Sequence, residues 1–330
     1  MTNPMAPPQR KPALSRLLFG AAIFAAVGAA YAQDYPSRPI RLIVPWTPGG
    51  GADIVARIVG AKLAAAWGQP VLIDNKPGAT GAIGTDAVAK AAPDGYTLLM
   101  SNNSTYVMAV GMMKLPYDPD KDLTPISRIT EVTHVLTVTN GFPATTLAGL
   151  IAQAKAKPGE ISFASSGSGS TTHVAGELFM NVTGTNLLHV PYKGASPALA
   201  DTVAGNVQMS FDTVPAALPF VQAGKLRALA VMGSKRVPAL PNVPTMAEAG
   251  VSGSESITWY GLYGPGKLPE PILRKLHAEM IKIAQMPEVK ARLDGLGGSD
   301  TTQMSPEDFA ASVRADIARY MPILKNIKKD

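Results

Sequence analysis

Two glycine-rich turns, set far apart in the chain, each close an apolar run and open an amphipathic helix. The first is Ile43-Val44-Pro45-Trp46-Thr47-Pro48-Gly49-Gly50-Gly51-Ala52-Asp53, and the second is Ile161-Ser162-Phe163-Ala164-Ser165-Ser166-Gly167-Ser168-Gly169-Ser170-Thr171-Thr172-His173. A strand that turns at glycines straight into a helix is a βα unit. It leaves the first N–H groups of the helix without intrahelical partners at the strand's C-terminal end. Those groups and the helix dipole favour negative charge, so two such units suggest a cleft that grips an anion from both sides.

Between and beyond the turns, apolar runs alternate with helical patterns. Ile40–Val44, Val71–Ile73 and Thr97–Met100 read as strands, with helices over Ala52–Trp67 and through Ile83, Ala87 and Ala91. A second series of the same kind includes strands at Ile161–Ala164, Leu187–Val190, Val207–Phe211 and Leu226–Met232. Pro269–Gln285, Val289–Leu293 and Ser305–Ile327 read as helical. Strands separated by helices predict an α/β fold with a mostly parallel sheet flanked by helices. Ile126–Thr139 and Ser256–Tyr263 are the candidate crossing strands, a hinge near 126–139 and 256–263. One lobe then holds 34–131 plus 257–330 and the other 132–256, with the cleft between them.

Composition bears on address and partners. Arg10, Lys11 and Arg16, the apolar stretch Leu17–Gly28, and Ala30-Tyr31-Ala32 form a secretory signal peptide over 1–32, with cleavage expected after Ala32. Taking its three basic residues from the chain's 30 leaves 27 against 24 acidic ones, so the high pI is no argument for nucleic acid. No basic run with interleaved aromatics is present. There is no cysteine, hence no disulfide, thiolate metal site or cysteine nucleophile. His134, His173, His189 and His277 show no metal spacing, and the expectation is no metal and no cofactor.

Each candidate residue has a plainer reading beside the functional one. Three consecutive glycines after a strand exceed what a turn needs, which favours backbone contact with a ligand. Asp53 in the first helical turn suits the dipole in either case. The second turn lacks the lysine of a phosphate-binding loop, and its G-x-G is not completed by a third glycine. Its hydroxyls can donate to carboxylate oxygens, or cap the helix. Ser168 and His173 could suggest a serine hydrolase, but no G-x-S-x-G elbow supports them. Trp46 serves as an apolar wall or as core. Lys193 lies on the expected cleft rim. Asp212, ending a strand, could take a ligand amine or cap the following helix.

These residues together resemble the Bug family, the extracytoplasmic solute receptors of tripartite tricarboxylate transporters. The resemblance rests on Tyr35-Pro36-Ser37-Arg38-Pro39-Ile40-Arg41-Leu42-Ile43-Val44-Pro45 with Pro48–Asp53, and on Asn75-Lys76-Pro77-Gly78-Ala79. It extends to Pro93-Asp94-Gly95-Tyr96-Thr97-Leu98, Val190-Pro191-Tyr192-Lys193-Gly194 and Pro241-Asn242-Val243-Pro244-Thr245. It implies a two-lobed periplasmic binding protein of the type II, Venus-flytrap kind, acting as a monomer without catalysis. The implied ligand is a small carboxylate: a di- or tricarboxylate, an acidic amino acid or an aromatic acid. The implied partners are inner-membrane permease subunits. Carried over as ligand-binding are Trp46, Thr47, Pro48, Gly49, Gly50 and Asp53, then Ser165, Ser166, Gly167, Ser168, Gly169 and Ser170. Ala79, Ser101, Asn102, His173, Tyr192 and Asp212 occupy neighbouring family positions. Trp46 and Thr80 depart from the family pattern, the latter standing where glycine is common. A ligand-sensing receptor for a membrane signalling protein is the alternative, and a periplasmic serine hydrolase a more distant one.

Overall fold

The first strand, β1 (Ile40–Val44), is buried except at Arg41, as a central parallel strand must be. In the computed structural model, residues 35–325 are described; the leader and the cleavage site after Ala32 lie outside them. From β1 the chain passes through the first glycine turn into α1 (Gly51–Trp67), which stops at Gly68 in the left-handed region, φ 64°. Then come β2 (Val71–Asn75), a single turn at Ala79–Gly81, α2 (Ala82–Ala89) and β3 (Thr97–Asn102). β3 runs into a π-helical turn, Ser104–Met108, and the short α3 (Ala109–Met112).

The strand β4 (Leu123–Thr139) is 17 residues long. It is followed by α4 (Leu147–Ala156), whose first turn is capped by Thr146, and by β5 (Ser162–Ser165). The second glycine turn leads into α5 (Thr171–Thr183), with Ser170 Oγ accepting from the His173 N–H at 3.2 Å. Next are β6 (Leu188–Pro191), α6 (Ala195–Ala204), β7 (Met209–Thr213), α7 (Val214–Gln222) and β8 (Leu226–Val231). The chain returns along β9 (Ile257–Pro265). It ends in α8 (Glu270–Gln285), α9 (Pro287–Gly295), β10 (Gly298–Asp300) and α10 (Pro306–Leu324). In α8, Leu273, Leu276, Met280 and Ile283 are buried at helical spacing, while Arg274 and Lys275 face solvent.

All the strands join one sheet, ordered β2-β1-β3-β9-β4-β7-β5-β6, with β8 and β10 also paired to β4. The α/β class expected from the sequence holds, and the sheet is mixed. β1 pairs in parallel with β2 and β3, and β5 with β6 and β7. Every pair involving the crossing strands β4 and β9 is antiparallel. β4 changes partners midway. Its residues up to Thr133 pair with β9, and those from His134 pair with β7 and β8. Two strand groups therefore share one continuous strand, and each has its own core. Leu136, Phe163, Phe179 and Phe211 pack together in one. Tyr106, Trp259, Tyr263 and Phe309 pack together in the other.

Phe309 of α10 is fully buried, edge-on to Trp259 at 5.3 Å and tilted against Tyr263 at 5.2 Å. It clamps α10 onto β9. Phe309→Ala should lower the urea-unfolding free energy by about 3–5 kcal/mol, the range for emptying an aromatic site in a packed core.

Candidate functional site

The two glycine turns meet. A narrow cleft, with about 30 Å³ of free space, is lined from one side by Trp46, Gly50, Gly51 and Ala52, and from the other by Ser166, Thr171 and Thr172. Both helix starts, α1 and α5, thus open into one space. Asn102 and Ser104 line it after β3, Ala195 at the start of α6, Asp212 and Thr213 at the end of β7, and Thr258 and Tyr260 on β9. No lysine, arginine or histidine is among these lining residues. Gly51 is required by close approach: a Cβ there would collide with the Tyr260 hydroxyl and press on Thr213 Oγ1.

A second, outer chamber of about 240 Å³ shares Trp46 and Ser166 with the first. Ala79, Thr80, Gly167, Ser168, Tyr192 and Lys193 complete much of its wall. Thr80 lies at φ 51°, in the left-handed region that favours glycine. Its hydroxyl donates to the Ser168 carbonyl at 2.8 Å, a bond no glycine could make. Trp46 is 7% exposed, and its indole N–H has no protein partner.

Several residues singled out by the sequence support the cleft from behind. Asp53 is turned into its own loop. Its carboxylate accepts from the Gly49 N–H and from Arg57 Nε, each at 2.9 Å, and from the Asn75 amide at 3.0 Å. Burial alone would raise its carboxyl, but the bonds from Arg57, Gly49 and Asn75 outweigh that and hold it below the usual 3.8. The Pro48 carbonyl accepts from the Ser196 hydroxyl, joining the first turn to α6. Thr47 packs against Gly194. Ser101 is buried on β3 with its hydroxyl unpartnered. Ser165 Oγ meets His189 Nε2 at 2.7 Å, and Ser170 caps α5.

His173 is 2% exposed and stacks on His189, ring centroids 3.8 Å apart. Its Nδ1 accepts from the Gly169 N–H at 3.0 Å, while Nε2 lies 3.4 Å from Glu177. The imidazole thus braces the serine turn, and both ring nitrogens are engaged away from Ser168. Tyr192 gives its hydroxyl proton to Asp201 at 2.7 Å.

A buried chain of hydrogen bonds runs under the cleft. Ser256 Oγ meets His134 Nδ1 at 2.9 Å, and His134 Nε2 meets Thr258 Oγ1 at 2.9 Å. Thr258 Oγ1 meets Thr171 Oγ1 at 2.7 Å, and Thr171 meets Ser104 Oγ at 3.3 Å. Ser104 Oγ also accepts from the Thr171 N–H at 3.0 Å, fixing the start of α5. Burial pushes the His134 imidazole down to about 3, so it is neutral.

Asp212 is the exceptional group. It is 1% exposed, and Oδ1 accepts from the Thr213 N–H at 2.7 Å, while Oδ2 has no protein partner. Burial pushes it up to about 7, against the lowering effect of the Thr213 bonds. Sequence reasoning missed Ser104, Ala195, Thr213, Thr258 and Tyr260 as lining residues, and took Thr171 and Thr172 only as hydroxyls of the second turn. Thr171, Thr172 and Thr213 adjoin residues that were named; Ser104 sits in a π-helical turn that no sequence pattern announces.

Residues 55–329 match the model of the tripartite tricarboxylate transporter family receptor. The chain belongs to this receptor family. It is 37% identical over 321 residues to Protein BugT of Bordetella pertussis, an alignment covering 94% of this chain and 97% of that one. Among solved structures it resembles Rpa4515 of R. palustris with adipate, at 36% identity and TM-score 0.85, covering 88% of this chain and 98% of that one. It also resembles the periplasmic binding protein BugD, at 33% identity and TM-score 0.84, covering 88% and 98%. Bound carboxylate and periplasmic residence are thus properties of this receptor's relatives. Among the described residues, no helix of the receptor is long and apolar enough to cross a membrane.

A carboxyl that holds its proton when folded and loses it when unfolded makes folding less favourable as pH rises. For Asp212 that window runs from the ordinary 3.8 to about 7. Asp212→Asn should therefore gain stability relative to the wild type as pH rises from ~4 to ~7 and keep a constant margin above, measured by urea unfolding across that range.

Proposed function

We propose that this receptor captures a small carboxylate between two lobes and hands it to inner-membrane permease subunits of a tripartite transporter. The lobes are residues 34–131 with 257–330, and 132–256. The hinge lies where β4 and β9 cross, in keeping with the exchange of β4 partners at Thr133 and His134. The protein works as a monomer in the periplasm, after removal of its leader at Ala32, and without catalysis.

The observation that carries this reading is the pairing of two helix starts on one cleft whose lining has no cationic side chain. A carboxylate docked there takes N–H donors from the first turns of α1 and α5 and a hydroxyl donor from the Ser166–Thr172 pair. Charge-assisted bonds of this kind contribute about 1.5–3 kcal/mol each, so a few of them support micromolar capture after ordering costs. The reading is supported by the solved structure of Rpa4515, a relative of the same fold, with adipate, a dicarboxylate. The bonds from Thr80 to Ser168 and from Ser196 to Pro48 span the two strand groups, and would open when the lobes part.

Calorimetry and thermal shift against succinate, malate, adipate, glutamate and benzoate test the reading. At least one should bind, and at a hundredfold excess over its Kd should stabilise the fold by about 2.7 kcal/mol. If none binds and none raises the melting temperature, the reading fails. Gly51→Ala, which forces Tyr260 and Thr213 into the cleft, should weaken that binding by about tenfold or more, since overpacking costs about 1–3 kcal/mol.

A further inference from the structure

The cleft that receives the anion also contains an acid. Asp212 closes the end of β7, lines the space between the two helix starts, and leaves Oδ2 without a protein partner. No cationic side chain lines the cleft to offset it. An ionised Asp212 would face a docked carboxylate with like charge at short range in a buried site, cancelling much of what the helix starts supply. A ligand ammonium would relieve Asp212, yet it would sit against the positive ends of α1 and α5. A proton relieves both conflicts. A neutral carboxylic acid turns Oδ2 from a surplus acceptor into a donor, which is what an incoming carboxylate lacks on that wall.

We propose that Asp212 acts as a protonated acid that donates its Oδ2–H to one carboxylate of the ligand, so that the receptor takes up a proton when it captures its cargo. This deepens the carboxylate-receptor reading and rests on it. The proton comes from solvent, stays on Oδ2 as the donor of a short O–H···O⁻ bond, and returns to solvent on release; no covalent bond forms or breaks in the ligand. Burial raises the acid to about 7, so above that pH Asp212 is ionised in the free protein and capture must recruit the proton.

The titratable groups on the elements around the cleft do not supply that proton. Tyr260 on β9 is raised by burial and remains neutral, and His134 on β4 is held neutral between Ser256 and Thr258. Asp53 and Arg57 on α1 are paired with each other, and Asp201 on α6 is held by Tyr192. His173 on α5 is stacked on His189 behind the serine turn. The variant below keeps both histidines and so assigns the effect to Asp212.

The test is calorimetry of the purified protein with succinate, malate and adipate between pH ~6 and ~8.5, with the ligands' own proton exchange subtracted, in two buffers of different ionisation enthalpy. Wild-type affinity should be level below pH ~7 and fall by up to about tenfold per unit above it, with proton uptake approaching one per ligand bound. Asp212→Asn, which offers an amide N–H near the same place, should bind about tenfold more weakly at pH ~6, with neither slope nor uptake. A flat wild-type profile with no proton uptake overturns the proposal even if the variant fails to fold. So does a slope that survives in Asp212→Asn. A third overturning result is an amine-bearing diacid such as aspartate binding tighter than malate and gaining affinity as pH rises, the mark of an ionised Asp212. Failure of every carboxylate to bind at any pH would instead remove the receptor reading itself, and this inference with it.

Discussion

One strand must satisfy two ladders. β4 gives its first part to β9 and its second to β7 and β8, and the change between Thr133 and His134 decides where everything else can sit. A strand buried on both sides over most of its length has no room for an unpaired backbone group, so the two strand groups cannot slip along it independently. The ends of β3 and β7 and the helix starts beside them are thereby brought to one cleft. The architecture gives positions accurate enough for backbone donors to act as a binding group. A cation on a flexible side chain tolerates misplacement; an N–H fixed in the first turn of a helix does not.

The absence of cations from the cleft lining has a second physical effect. Backbone donors and hydroxyls recognise charge and acceptor geometry rather than a carbon skeleton, so discrimination between acids falls to the walls. Trp46, which spans the inner and outer chambers, is the largest of these walls. Lys193 stands at the outer chamber and not at the inner one.

Much of this was legible in the sequence, for definite reasons. Glycines between an apolar run and a helical pattern announce a βα turn, and both turns were found where such spacing put them. The β-branched stretch at Ile126–Thr139 announced β4, which starts slightly earlier, at Leu123. What the sequence did not disclose is tertiary. Asp53 sits in the right turn for a ligand contact, yet Arg57 and Asn75 reach it first, and only the fold brings Asn75 beside it. Tyr260 and Thr258 read as ordinary members of a buried strand; that they line a cleft follows from where β9 lies in the sheet. Ser-Thr-Tyr-Val-Met at 104–108 carries no helical periodicity, so nothing pointed to its π-helical turn. The glycine turns are local and the site is not.

The neutral ring of His134 has a consequence several atoms away. A neutral imidazole carries one N–H and one bare nitrogen, so its tautomer orders the hydroxyl rotors from Ser256 through Thr258 and Thr171 to Ser104. Ser104 gives its hydrogen inward to Thr171, so Thr171 gives its own to Thr258, Thr258 gives its own to the bare Nε2, and the ring hydrogen sits on Nδ1. That serine therefore greets an occupant as an acceptor, an orientation held by a ring that the occupant never touches.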